Sequence, residues 1–134
     1  MESKTFVGGL RAELWNWTFP FAALCASRDQ LIITVLGEKK YIFTPDQVVG
    51  IKKRFGGIQI FHNIASYPTL IIFWYFNPSK VLKAIESIGF TPLAAGDMDD
   101  SEYQTQRQFA VVFILLIFVP IIIVAALDAI GWIR

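Results

Sequence analysis

An uninterrupted apolar run late in the chain, Phe109 to Leu127, places the strongest constraint on its fold. The run, FAVVFILLIFVPIIIVAAL, carries no charged or strongly polar side chain. About 20 such residues, rising 1.5 Å each in a helix, span a hydrocarbon layer roughly 30 Å thick. Because backbone polar groups in lipid need internal partners, the run predicts a membrane-spanning helix. Pro120 lies inside it and is expected to kink the helix without ending it.

The alternative for this run is a helix buried in a protein core. Such a helix needs a domain large enough to cover it on all sides, and the rest of this 134-residue chain is small for that. The composition points the same way, because 54% of the residues are hydrophobic and only 17% are charged. Lipid or a partner is therefore the expected environment of the run.

The position of the span predicts a tail-anchored, single-pass protein of the cell membrane with its N-terminal part in the cytoplasm. The opening residues, MESKTFVGGLRAEL, contain no apolar signal segment. Arg107 and Arg134 are the basic residues that flank the span, and they give little information on orientation. The single cysteine, Cys25, excludes an intramolecular disulfide and fits a reducing compartment. Its apolar surroundings, FAALCA, favour a buried structural cysteine over a catalytic thiol.

Short segments rich in β-branched and aromatic residues precede the span and are separated by turn signals. This pattern predicts a small antiparallel barrel or sandwich. The first strand is expected to be long, with Gly8-Gly9 as a candidate break, and Gly56-Gly57 predicts a tight hairpin. The predicted strands are 5–17, 19–26, 31–36, 40–43, 47–55, 58–62 and 69–75.

The hydrophobic period then changes from that of strands to that of a helix. Asn77 is a good N-cap, Pro78 suits the first helical position, and Gly89 is an expected C-terminal stop. Apolar residues between these signals recur at helical spacing, which predicts one amphipathic helix that closes the domain. These residues are Val81, Leu82, Ile85 and Ile88.

Charge is segregated along the chain. Residues 1–90 hold ten Lys/Arg and six Asp/Glu, whereas residues 91–106 hold four acidic residues and no basic one. We therefore expect four parts. They are a cytoplasmic domain (1–90), an acidic linker (91–106), a transmembrane helix (107–131) and a short tail (132–134).

The residues before the linker resemble the bacterial pleckstrin-homology-like (PH-like) domains. The segments that carry the resemblance are ASRDQLIITVLGEKKYIFTPDQVVGIKK, IQIFHN, the Tyr-Pro turn, IIFW and NPSKVLKAIESIGF. In that family a strand ending in His-Asn leads through a Tyr-Pro turn into a strand ending near Phe-Trp, and a helix finishing in Gly-Phe follows. The corresponding residues here are His62, Asn63, Tyr67, Pro68, Phe73, Trp74, Gly89 and Phe90.

The resemblance covers roughly residues 5–90 and implies a mainly β fold. This fold is a PH-like antiparallel barrel of about seven strands, capped by one C-terminal α-helix. The family implies a non-catalytic interaction module that is often joined to membrane segments. It has no agreed ligand or catalytic residues, so none are transferred to this chain.

His62 is the only histidine and, with the polar residues beside it, looks at first like part of an active site. A catalytic or zinc-binding role needs partners, and the sequence near His62 offers no second histidine and no carboxylate. A position at a strand end, with Asn63 starting the turn, favours hydrogen bonds from both side chains to loop backbone. We predict a structural role and assign no catalytic residues.

The strongest basic cluster is Lys52-Lys53-Arg54, with Lys39-Lys40 in a neighbouring predicted hairpin. One interpretation is a patch that contacts anionic lipid or a partner, since a lysine near such a surface contributes about 1 kcal/mol. The other is a set of solvated strand-edge charges that discourage aggregation.

Asp128 follows the apolar run and also has two interpretations. A carboxylate near the membrane interface can reach water and be an ordinary boundary residue. In a helix set deeper in the membrane, Asp128 would mark a contact with a partner or an ion.

The sequence contains no metal-ligand spacing and no cofactor motif, so we expect no metal and no cofactor. Gly8-Gly9 and Gly56-Gly57 do not match dinucleotide or phosphate-loop patterns. A net charge of only +1 argues against nucleic-acid binding. We therefore expect a non-enzymatic docking module, held in the bilayer by its helix, with a membrane or cytoplasmic protein as partner. The alternatives are a sensor of anionic lipid surfaces and an accessory subunit of a membrane complex.

Overall fold

The computed structural model describes residues 2–13, 15–99 and 101–132, and leaves the side chains of residues 102 and 106 undescribed. Arg134, which we named as a flanking charge, and the last part of the predicted tail lie outside these residues. The chain divides between Met98 and Asp99 into two compact units. We call the first unit the β-domain.

The β-domain is mainly β, as the strand pattern predicts. Its seven strands form one open antiparallel sheet in the order β4-β3-β2-β1-β7-β6-β5. A short 3₁₀ turn, Pro45–Gln47, precedes the fifth strand. The strands are β1 (Ser3–Ala12), β2 (Trp15–Ser27), β3 (Leu31–Val35), β4 (Glu38–Phe43), β5 (Val48–Arg54), β6 (Gly57–His62) and β7 (Ile71–Trp74).

The expected first strand, 5–17, is wrong, because a hairpin interrupts it. β1 ends at Ala12, which pairs directly with Trp15 at the start of β2. The turn uses Glu13 in the left-handed region (φ 55°), where glycine or asparagine is the usual choice. Glutamate is not a residue type that favours such a turn, so the sequence gives no signal that predicts this hairpin.

Gly8-Gly9, the expected break, is the point where β7 begins to pair with β1 and where the pairing of β1 with β2 is interrupted. Gly8 pairs with Ala22 on β2, whereas Gly9 pairs with Trp74 on β7. The register of β1 against β2 shifts here, since Leu10 pairs with Trp17. The extra residues of β2 form a bulge whose side chains are exposed.

The closing helix, α1 (Pro78–Ile88), has the predicted ends. The Asn77 side chain accepts a hydrogen bond from the backbone nitrogen of Lys80 at 3.3 Å, and Gly89 ends the helix with φ 91°. α1 packs against β1, β2, β5 and β6, so the core lies between the helix and the sheet. The helical residues in this core are Val81, Ala84, Ile85 and Ile88.

The start of the predicted linker is attached to the β-domain. The backbone nitrogens of Leu93 and Ala94 donate hydrogen bonds to Pro45 (2.8 Å) and Val48 (3.1 Å). A side chain at Gly50 would collide with the sulfur of Met98, which shows how closely this segment approaches β5. The segment therefore covers part of an edge strand of the sheet.

The second unit is built around one long helix, α2 (Ser101–Ala129). Its stretch Tyr103–Ala129 is long and apolar enough to cross a membrane; the most apolar 18 residues in it have a mean hydropathy of 3.3 and are not buried against any described residue. At 1.5 Å per residue, 27 residues extend about 40 Å, which is enough to cross a bilayer. Pro120 lies within α2 and does not end it.

Candidate binding surfaces

The basic cluster Lys52-Lys53-Arg54 does not form one exposed patch. Lys53 is exposed, Lys52 is half-buried, and Arg54 is only 8% exposed. The Nε of Arg54 donates a hydrogen bond to Oε1 of the buried Gln59 at 2.8 Å. The Arg54 guanidinium also lies 5.9 Å from the ring centroid of Phe61, within cation–π range. Arg54 is thus engaged by its own domain.

Both ring nitrogens of His62 are bonded to the loop that follows β6. Ile64 donates its backbone N–H to Nδ1 at 3.0 Å, so the ring proton sits on Nε2, which lies 2.7 Å from the Pro68 carbonyl oxygen. The Asn63 side chain donates to the Asp46 carbonyl at 3.5 Å. The predicted hydrogen bonds of His62 and Asn63 to loop backbone are confirmed.

An aromatic cluster extends from His62 to the edge strand β4. The Tyr67 ring makes edge contacts with Tyr41 at 5.0 Å and Phe43 at 5.6 Å, and its hydroxyl accepts a hydrogen bond from the Ile42 backbone nitrogen at 3.2 Å. The pKa of Tyr41 is raised above its ordinary value, first by burial, then by the charge of Glu13, and last by the neighbouring Tyr67. The cluster ties the β6–β7 loop to β4 and covers part of that edge.

Asp128 lies in the last turn of α2, in the second unit, and its side chain is exposed. Residues spaced by four place Pro120, Val124 and Asp128 on one face of the helix, where they line a shallow notch. The notch gives α2 a recognisable face near the predicted membrane boundary. Cys25, in the β-domain, is half-buried and free of any disulfide.

A groove of about 360 Å³ in the β-domain is lined by apolar and aromatic side chains over a floor of glycine. We call it the aromatic groove. Phe76 and Phe19 at its sides are 86% and 70% exposed. The side chains that line it come from Val7, Phe19, Trp74, Tyr75 and Phe76.

A cavity of about 720 Å³ lies between the first residues of β1 and the outer side of α1. Three exposed lysines line it, Lys4, Lys80 and Lys83, and no acidic residue does so among the residues described. We call it the lysine cleft. Sequence reasoning missed it because Lys4 and the α1 lysines are distant in the chain. The spacing of Lys80 and Lys83 on one helix face was the only available signal.

Comparison with known proteins assigns no family to the chain. No family model matches it, and no curated protein matches it significantly.

Proposed function

We propose that the chain is a membrane-anchored protein that presents a PH-like domain as a non-catalytic docking module. The observation that carries this proposal is α2, in which every residue of the apolar stretch Phe109–Ala126 is exposed. Water disfavours such a surface, whereas a bilayer accommodates it. The lone, half-buried Cys25 suits a domain that faces the reducing cytoplasm.

The PH-like part of the proposal is supported by the order of the elements. Seven antiparallel strands are followed by one helix, and that helix packs against the sheet as a closing element. The sequence resemblance implies the same order. The His62 and Tyr67 pair, which belongs to that resemblance, holds the loop before β7 in place.

The docking role is supported by aromatic side chains that the β-domain leaves in solvent. Phe55 is 95% exposed at the tip of the β5–β6 hairpin, Phe76 is 86% exposed, and Trp15 is 73% exposed. Large aromatic side chains contribute strongly to protein interfaces, and clusters of exposed apolar surface mark interaction sites in water-soluble domains.

The lipid-sensor alternative depends on the basic loops, and the geometry gives little support to the strongest of their clusters, Lys52-Lys53-Arg54. Arg54 is buried and bonded to Gln59, so Lys53 is the exposed member of the cluster. One lysine near an anionic surface contributes about 1 kcal/mol, which is too little to hold a domain there alone.

The test is crosslinking of the full chain in native membranes, followed by identification of the captured proteins. Two variants separate docking by the β-domain from subunit association through the helix. In one, an unrelated apolar span replaces α2; in the other, Phe55 and Phe76 are both changed to Ser. Alkaline carbonate extraction checks that each protein stays in the membrane.

We expect the helix swap to retain the captured partner and the Phe55→Ser, Phe76→Ser variant to lose it. Loss on the helix swap alone would make the chain an accessory subunit that binds through α2. Release of the wild-type chain by carbonate would contradict membrane anchoring.

A further inference from the structure

β1 has an edge that the sheet leaves open. On one side β1 pairs with β2 from Ser3 onward, but on the other side β7 pairs only with Gly9 to Ala12. β7 ends at Trp74, opposite Gly9, and the chain then turns away into α1. Within the described ranges, no strand pairs with β1 beside Ser3–Val7, whereas at Gly8 the carbonyl group of Trp74 already lies close.

The lysine cleft and the aromatic groove follow one another along this open edge. Lys4, Thr5 and Phe6 line the cleft, and Val7, Gly8 and Gly9 line the groove. The opposite wall has the same order, with residues 74–76 in the groove and Asn77 to Ser87 in the cleft. The two cavities therefore lie end to end beside one strand.

The other edges of the sheet are at least partly covered. Tyr67 accepts the hydrogen bond of the Ile42 nitrogen on β4, and the segment with Leu93 and Ala94 bonds to Val48 at the start of β5. Open edges are usually blocked because they invite pairing with another chain. The exception at β1 coincides with the lysine cleft and the aromatic groove.

The charge of the lysine cleft determines what kind of peptide can bind beside β1. The ammonium groups of Lys4, Lys80 and Lys83 have no ion-pair or hydrogen-bond partner among the described residues, and no described acid lines the cleft. The groove beyond it is apolar and aromatic. A partner strand therefore needs carboxylates at one end and bulky apolar side chains at the other.

We infer that β1 binds an extended peptide as an added strand, with its acidic residues in the lysine cleft and its apolar residues in the aromatic groove. Main-chain hydrogen bonds to the β1 edge supply affinity, and the two cavities supply specificity. α1, 11 residues long, extends about 16 Å, which matches roughly five extended residues at 3.3 Å each. This inference rests on the proposed docking function and names the chemistry of the partner segment.

The test measures binding of two fluorescent heptapeptides to the full chain in mild detergent. The probes are acetyl-Phe-Val-Phe-Val-Glu-Val-Glu and the same residues in reverse order, since an added strand can run in either direction. We expect one order to bind saturably below about 1 mM. N-methylation of alternate backbone nitrogens should abolish binding, and hydrogen exchange at Lys4–Phe6 should slow when the peptide binds.

Matched variants locate the site. Lys80→Gln with Lys83→Gln should raise the Kd about tenfold, whereas Lys39→Gln with Lys40→Gln makes the same charge change on β4 and should leave it unchanged. Phe76→Ser should raise the Kd about fivefold, and Leu36→Ser, at an exposed apolar residue outside the groove lining, should not.

Three results would overturn the inference. They are failure of both probes to bind, equal binding by the Lys80, Lys83 variant, and binding that survives N-methylation. Displacement of the probe by phosphatidylserine vesicles, together with insensitivity to N-methylation, would assign the cleft to a lipid headgroup. If the Lys80→Gln, Lys83→Gln variant still captures its crosslinked partner in membranes, the proposed docking function is retained, but the lysine cleft is not the site of docking.

Discussion

Replacement of Gly8 by alanine is expected to destabilise the β-domain by about 3 kcal/mol. A Cβ built on Gly8 overlaps the carbonyl oxygen of Trp74, and it also comes within 3.0 Å of the Phe73 ring. Carbon and carbonyl oxygen atoms normally approach no closer than roughly 3.3 Å. Because the obstacle is backbone, β1 and β7 must separate for the methyl group to fit.

The magnitude has three contributions. Overpacking by one methyl group typically costs about 1–3 kcal/mol. Separation of the strands also weakens the pairing of Gly9 with Trp74, at about 1 kcal/mol for each hydrogen bond lost. Alanine lowers the conformational entropy of the unfolded chain relative to glycine, which offsets about 0.4–1 kcal/mol of this destabilisation. The sum, about 3 kcal/mol, is a large part of the roughly 5–15 kcal/mol that stabilises a typical domain.

The assay is urea unfolding of a fragment ending at Met98, followed by tryptophan fluorescence. Gly37→Ala is the control, because Gly37 has φ 83° and a Cβ there meets no atom within 4 Å. That change costs about 1–2 kcal/mol from left-handed backbone alone. If Gly8→Ala is no more destabilising than Gly37→Ala, the close approach of β1 and β7 is not what requires glycine.

Three further changes test other parts of the β-domain. His62→Gln keeps a polar side chain but cannot bridge Ile64 and Pro68 in the same way, so the free energy of unfolding measured in urea should fall by about 1–2 kcal/mol. The folded variant should still capture the partner. Loss of capture by a folded variant would make His62 a binding residue. A fragment of residues 1–90 should be about 1–3 kcal/mol less stable than a fragment of residues 1–98, because it lacks the backbone hydrogen bonds that Leu93 and Ala94 donate. Equal stability of the two fragments would mean that residues 91–98 do not stabilise the β5 edge of the sheet. The raised pKa of Tyr41 means that folding favours its neutral phenol, so this stabilisation is complete below the ordinary value of about 10 and is lost as pH rises through the folded value. Absorbance titration should therefore show one tyrosine ionising late, and Tyr41→Phe should remove it together with part of the alkaline decline in stability; an unchanged titration would refute the assignment.

The sequence predicted those elements whose ends carry residue types that favour helix caps or tight turns. Asn77, Pro78 and Gly89 mark α1, and Gly56 makes the β5–β6 turn with φ 78°. The β1–β2 hairpin was missed because Glu13 takes a left-handed conformation without a residue type that favours it. A turn of that kind is imposed by the pairing of the strands on either side, which is a tertiary effect.

The candidate site was harder to predict than the fold. Lys52-Lys53-Arg54 is the most prominent basic cluster in the sequence, yet a strand alternates its side chains between two faces, and Arg54 became buried against Gln59 and Phe61. The lysine cleft joins residues from opposite ends of the β-domain, so no local pattern marks it. Linear clustering of charge is thus a poor guide to a site that strand order assembles.

An open strand edge is normally an aggregation hazard, and the charges around β1 offer a way to keep one safely. Two copies of the chain that paired through this edge about a two-fold axis would run antiparallel, so the cleft end of one copy would face the groove end of the other. That pairing gives the lysines no opposite charge, because no described acidic residue lines either cavity. An acidic strand meets attraction at the same positions. The lysines therefore favour a partner of opposite charge over a second copy of the chain.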